Sequence, residues 1–257
     1  MVGISTSGIL LRRVEYGDYD YILTFLTVDT GKVTLIAKNA KKSVKRFFGI
    51  LELFSLLDLT YVKKNTNRMS VLQEASLDCP FEGIRSDMMK TAYASYWAEI
   101  IYLWLEEHVA QEELFQLLKY VLDTLDQGNI SPNQLSLLFQ IRFVDFYGFM
   151  PHFRSCSHCH IDLEALPQFR VGFDLAKGTI VCDKCAKDTR HLRFLSKGTI
   201  KQLIWLQRGE LQMTKRLRIP LPAILEGLDF LEAFVPYHIG RTPKSLGVLR
   251  HIRKESL

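Results

Sequence analysis

At 257 residues the chain is long enough for two domains, each with a core of its own. Its apolar fraction of 47% and charged fraction of 24% are ordinary for a folded protein, and no apolar run approaches the roughly 18 residues that cross a bilayer. The net charge of +5 is modest and says little as a whole, because it hides a strong segregation along the chain.

The opening "MVGISTSGILLRRV" has no basic residue before its apolar patch and so makes a poor signal peptide; the chain reads as cytoplasmic. Five cysteines in such a chain point to metal or free thiols rather than to a disulfide framework. The first eighty residues read as strands: "GILLRRV", "YILTFLTV", "VTLIAK", "ILELFSLLDLTYVKK" and "MSVLQEASL". Asp29-Thr30-Gly31-Lys32 is a hairpin candidate, with glycine where positive φ is wanted, and "NTNR" is a polar turn. Five strands without an intervening helix must bury one face and protect their edges. A Greek-key barrel of the OB type does this; an open sheet packed on a helix is the alternative.

Between the third and fourth strands, Ala37 to Gly49 holds Lys38, Lys41, Lys42, Lys45 and Arg46 and no acid. A barrel with such a loop matches the plan for binding single strands, in which cations follow phosphates and aromatic faces take bases. Arg12 and Arg13 on the first strand add charge, and Phe47 or Phe48 is available to stack on a base. The competing readings are a merely solvated loop and phenylalanines turned into the core.

After Pro80 the apolar period becomes helical. "TAYASYWAEIIYLWLEEH" carries a stripe of Tyr93, Trp97, Ile100, Ile101, Trp104 and Leu105, and "QEELFQLLKYVLDTLDQ" repeats the pattern up to Gly128. Ser131-Pro132 is a helix start, and "KGTIKQLIWLQRG" and "PAILEGLDFLEAFV" complete a helical domain. These stripes read as core. The stretch from Phe81 to Gln140 has three bases against nine acids, whereas Arg190 to Pro220 has eight bases against the single acid Glu210. The expected organisation is thus a barrel over 1–80 and a helical domain over 81–257, with an insertion at about 150–190.

That insertion carries "CSHCH" and "CDKC". Cys156 and Cys159 are separated by two residues, as are Cys182 and Cys185, with 22 residues between the pairs. Each Cys-x-x-C turn aims two thiolates at one centre about 2.3 Å away, and two such knuckles make a tetrahedral zinc site. His152, His158 and His160 are alternative ligands; the simpler reading has them as solvent-facing or neighbouring groups. Four protein ligands leave no position for water or substrate, so this metal is expected to brace a segment poor in apolar residues, not to catalyse. Cys79 has no partner in sequence. No phosphate-binding loop, dinucleotide fingerprint, zinc-protease helix or nucleophile elbow occurs. The acid pairs Glu106-Glu107 and Glu112-Glu113 are expected on solvated helix faces. A metal-dependent enzyme acting on nucleic acid is the alternative to a DNA-binding protein.

The stretch "GILLRRVEYGDYDYILTFLTVDTGKVTLIAKNAKKSVKRFFGILELFSLLDL", with "GFMPHFRSCSHC" and "YHIGRTPKSL", resembles the bacterial RecO family of recombination mediators over nearly the whole chain. The resemblance implies an α+β protein: an amino-terminal five-stranded OB-type barrel, then a helical domain carrying a four-cysteine zinc module. It also implies binding of single- and double-stranded DNA, annealing of complementary strands, and, with RecR, help for RecA in replacing SSB. By the same resemblance, Arg12, Arg13, Lys38, Lys41, Lys42, Lys45 and Arg46 are the barrel's DNA-contacting bases. The late run Arg241, Lys244, Arg250 and Arg253 extends that surface or meets the acidic tail of SSB.

Overall fold

The computed structural model describes residues 3–63, 69–188 and 190–255, so the polar turn expected at 65–68 lies outside the described residues, as does the side chain of Lys215. The chain forms two compact units, Met1–Gly128 with Pro243–Leu257, and Asn129–Thr242.

In the first unit five strands close into a barrel: β1 (Gly3–Tyr16), β2 (Asp20–Thr27), β3 (Gly31–Ala37), β4 (Leu56–Val62) and β5 (Ser70–Cys79), in the order β1-β2-β3-β5-β4. Closure rests on β1, whose 14 residues serve two neighbours. Its first half pairs with β4, from Gly3 opposite Val62 to Ile9 opposite Leu56. Its second half pairs with β2, and a bulge between Leu10 and Arg12 lets the strand bend between the two. The last gap is closed by a short parallel pairing of β3 with β5, Leu35 opposite Ser70 and Ile36 opposite Val71. A closed barrel leaves no free edge. Leu10, Leu23, Phe25, Val33, Leu35, Leu57, Leu59, Tyr61 and Leu72 fill it.

The hairpin after β2 is the expected one. Gly31 has φ of 72°, and a side chain there would run into the Val109 carbonyl oxygen, so only glycine fits. The fourth strand begins six residues later than its apolar run suggests. Leu51 belongs to the barrel core, with Ile50 and Leu53 packed against it, so this run stoppers the barrel instead of pairing along an edge; Phe54 is buried beyond it. The Phe54 N–H donates to the Leu10 carbonyl at 2.8 Å, and the Leu10 N–H to the Ser55 carbonyl at 3.1 Å, which fixes this stopper at the bulge of β1.

Among the described residues four α-helices complete the unit: α1 (Glu82–Arg85), α2 (Met88–Trp104), α3 (Glu112–Gln127) and the carboxy-terminal helix Lys244–Glu255. The expected stripes face inward: Tyr93, Trp97, Ile100 and Ile101 on α2, and Leu114, Leu117, Leu118, Val121, Leu122 and Leu125 on α3, are all buried. Gly128, at φ of 73°, ends α3. Glu106 and Glu107 are exposed but lie beyond the end of α2, where the Leu105 backbone has turned extended. The carboxy-terminal helix packs on α2, and Glu99 accepts hydrogen bonds from the N–H groups of Lys244 at 3.1 Å and Ser245 at 2.8 Å. Those are N–H groups that a helix start leaves without partners, so Glu99 acts as a cap supplied from another helix.

The second unit contains α4 (Pro132–Phe146), a three-stranded sheet of β6 (Arg170–Asp174), β7 (Thr179–Val181) and β8 (Leu192–Ser196) in the order β7-β6-β8, α5 (Lys197–Arg208) and α6 (Leu221–Ile239). The Ser131 side chain caps α4 by accepting from the Gln134 N–H at 3.2 Å. Helix α4 is buried almost all round, and its central polar pair is satisfied internally, Gln140 donating to the Ser136 hydroxyl at 3.0 Å. The sheet packs on α6 through aromatic rings: Phe173 lies 4.8 Å from Phe230 and 5.8 Å from Phe234 between centroids, with Phe153 5.5 Å from Phe173.

Candidate nucleic-acid interface and metal centre

The basic loop after β3 is anchored at two points and open between them. Asn39 takes the left-handed conformation at φ of 56°, and its N–H donates to the Asp20 carboxylate at 2.8 Å. The Ser43 hydroxyl accepts from the N–H groups of Arg46 and Phe47, both at 3.1 Å. Ala40 and Phe47 therefore point into the barrel, Phe47 being 3% exposed, while Phe48 is 75% exposed and Val44 79%. The two phenylalanines, adjacent in sequence, have opposite environments: one is core and the other is free to stack.

The five loop cations divide in the same way. Lys38, Lys42 and Lys45 are exposed, and neither Lys38 nor Lys45 has a side-chain partner among the described residues. The Lys42 ammonium lies 3.5 Å from the Tyr19 ring centroid. Lys41 turns back, donating to Glu15 at 2.8 Å and to the Gly17 carbonyl at 3.3 Å. Its ammonium holds the Glu15 carboxyl below the usual range, through the hydrogen bond first and its charge second. Arg46 closes the loop onto itself, donating to the carbonyls of Gln73 at 3.3 Å and Lys38 at 3.2 Å.

The strand arginines separate, as successive residues of a strand must. Arg13 pairs with Glu52 at 2.9 Å and lies 5.4 Å from the Tyr21 ring, which Lys41 also approaches at 5.7 Å; it belongs with the loop. Arg12 instead donates to the Tyr102 hydroxyl of α2 at 3.1 Å. It shares that ring with Lys32, on the flank of the barrel rather than beside the loop. Tyr19 and Tyr21 are the site residues that sequence reasoning missed. The signal was present in "EYGDYDY", which reads as a turn and also sets tyrosines at short intervals.

The four predicted cysteines come together. Among the described residues, the Sγ atoms of Cys156, Cys159, Cys182 and Cys185 lie within 4.8 Å of one another, and those of Cys159 and Cys182 are 3.6 Å apart. A tetrahedron with 2.3 Å arms has edges of about 3.8 Å, whereas a disulfide is about 2.05 Å. The local backbone accounts for the convergence. Cys156 donates from its N–H to the Ile161 carbonyl at 3.0 Å, and its own carbonyl accepts from His160, at φ of 60°. Cys182 follows the end of β7, and its carbonyl accepts from Cys185 at 2.9 Å and Ala186 at 3.0 Å. A further bond from the Ser157 N–H to the Ile180 carbonyl at 3.0 Å ties the first knuckle to β7. His158 and His160 are exposed and outside the cluster.

Electrostatics fit a cation at the centre. Burial opposes ionisation of Cys156, yet the backbone N–H groups of Cys159, Cys182 and His158 aimed at its sulfur bring the thiol down to about 6. Cys185 is driven the other way, to about 12, chiefly by its hydrogen bond with Cys182, with burial second. Burial also raises Cys182. Four crowded thiols cannot all ionise against one another; a divalent cation at their centre removes that conflict, and such a soft donor set is suited to metal binding. With all four donors from protein, a bound ion would hold the two knuckles together.

Residues 1–81 match the family model described as Recombination protein O N terminal, and residues 85–247 match Recombination protein O C terminal. The chain is 43% identical over 255 residues to the DNA repair protein RecO of Desulfatibacillum aliphaticivorans, covering 99% of both chains. It is 42% identical over 258 residues to that of Desulfosudis oleivorans, covering 98% of this chain and 99% of the relative. To that of Anaeromyxobacter sp. strain K it is 33% identical over 238 residues, covering 93% and 92%. An OB-type barrel followed by helices and a four-cysteine cluster, matched along almost its entire length, places this chain in the RecO family of DNA repair proteins.

Proposed function

We propose that the chain is a non-enzymatic mediator of recombinational repair. It binds single- and double-stranded DNA, anneals complementary strands, and with RecR helps load RecA onto single strands coated by SSB. The observation that carries this reading is the acid-free loop that turns Lys38, Lys42, Lys45 and Phe48 outward from a closed barrel in a RecO family member. Lys41, Arg46 and Arg13 stand behind that front, holding the loop's shape and adding positive potential, and Arg12 extends it along the flank. In this division of labour residues 1–80 form the DNA-binding domain. Residues 81–257 form the scaffold, with the metal module inserted at about 150–190.

The physics of annealing needs no hydrolysis. Two complementary strands repel through their phosphates; cations that follow both backbones release counterions and lower that repulsion, so base pairing proceeds down its own gradient. The ion assigned to Cys156, Cys159, Cys182 and Cys185 is Zn2+, one per chain. Its shell, filled by four thiolates, gives the ion a structural role. The acidic tail of SSB is assigned to a basic surface, with the late run Arg241, Lys244, Arg250 and Arg253 as its candidate. No helix among the described residues is long and apolar enough to cross a membrane. The site of action assigned here is the bacterial cytoplasm, at the nucleoid.

The test is strand annealing on SSB-coated oligonucleotides with no nucleotide added. Intact protein should anneal them, and the variant lacking Lys38, Lys42 and Lys45 should not. Cleavage or transfer products that depend on added magnesium would favour the alternative, a metal-dependent enzyme acting on nucleic acid.

A further inference from the structure

Within the second unit, the segment 150–164 and helix α5 enclose a cleft of about 600 Å³ that the barrel site does not use. Its floor is apolar, formed by Phe153, Leu163 and Ile204. Gln207 also lines it and is 8% exposed. Arg154 and Arg208 stand at the rim, both exposed, and neither guanidinium has a partner among the described residues. Of the two rim carboxylates, Glu164 is paired with Lys201 at 3.1 Å, which leaves Asp162 outnumbered by the arginines.

We propose that this cleft is a second contact for single-stranded nucleic acid. One base enters the apolar slot, and the flanking phosphates lie on Arg154 and Arg208. The inference rests on the DNA-binding reading above and adds a site to it. A nucleotide fits better than an acidic peptide because an exposed ring stands among the cations beside the cleft. On α5, Lys201, Trp205 and Arg208 follow one another at i, i+4 and i+7 and so share a face. Trp205, 37% exposed, therefore sits between two cations on that face, the alternation of aromatic and base that a single strand uses. The wall is braced by the first cysteine knuckle: Arg154 lies two residues before Cys156, and its carbonyl accepts from the Leu163 N–H at 2.8 Å.

The experiment uses the full-length protein and a single-stranded oligothymidine carrying photoreactive thiothymidine. It is run in wild type and in a Lys38→Ala, Lys42→Ala, Lys45→Ala background. Crosslinks are expected within 150–164 or 204–208 in both proteins, and they should disappear with Arg154→Ala plus Arg208→Ala. Loss of two phosphate contacts should also lower the salt slope of binding by about 1.4 log units per log unit of salt. Wild-type protein that crosslinks through the barrel alone overturns the proposal. So does a cleft that an acidic peptide still occupies when the oligonucleotide is saturating. The loop variant by itself reports on the barrel, so the two readings fail separately.

Discussion

Neutralising Lys38, Lys42 and Lys45 together with alanine tests the loop without dismantling it. Lys38 and Lys45 have no side-chain partner among the described residues, and Lys42 touches only the Tyr19 ring, so little native structure is lost. Lys41 and Arg46 are left in place because Glu15, Gly17, Gln73 and Lys38 hold them in the loop's own hydrogen bonds. On a single strand each lost phosphate contact lowers the salt slope by about 0.7, so three contacts are about 2 units. Over a fourfold rise in salt the wild type should therefore lose about twentyfold more affinity than the variant. The assay is fluorescence anisotropy of a labelled oligonucleotide across a salt series, with thermal melting of both proteins as the control for folding. Equal slopes at equal melting temperature would refute the assignment of these lysines to phosphate.

The adjacent phenylalanines should separate stability from binding. Phe47→Ala is expected to cost about 3–5 kcal/mol in denaturant unfolding because it empties a core position. Phe48→Ala should leave unfolding unchanged and weaken single-strand binding by about 1 kcal/mol or more. Cys182→Ser should abolish the metal binding proposed for the four-cysteine cluster, read by elemental analysis, and lower the melting temperature by several degrees; a variant that melts normally would show that the cluster is no brace. Glu99→Gln tests the cap on the last helix. Burial works against the Glu99 carboxylate, but the hydrogen bonds from Ser245 and Lys244 outweigh it and hold the group below the usual range. A depressed folded value means its contribution is complete above the ordinary glutamate range and disappears as pH falls through and below about 4. Wild type should therefore melt higher than Glu99→Gln at neutral pH, and the gap should close in acid.

Much of this architecture is legible in local pattern. Alternation with period two marks the strands of the barrel, and the helical stripes on α2 and α3 are buried as their spacing requires. Gly31 sits at positive φ where the hairpin needed it, and the two Cys-x-x-C pairs converge. A tight turn brings its own two thiolates together whatever lies around it, so that chemistry is carried by neighbours in sequence.

Other features depend on partners far along the chain. The run from Ile50 to Leu53 has the composition of a strand and instead stoppers the barrel, because the space it fills is made by strands that precede and follow it. Phe47 and Phe48 are indistinguishable by composition, and the Ser43 hydrogen bonds decide which one turns inward. Lys41 and Lys42 are alike in sequence, yet one meets Glu15, placed by the preceding hairpin, and the other lies over the Tyr19 ring. The carboxy-terminal helix, with its sparse apolar spacing, is held by Glu99 from 145 residues away. The compact units, too, cut the chain at Gly128 and return its last residues to the first unit, where composition changes at Pro80. Periodicity along a chain reports that a face is covered. Which distant surface covers it is set by packing and hydrogen-bond geometry that exist only once the chain has closed on itself.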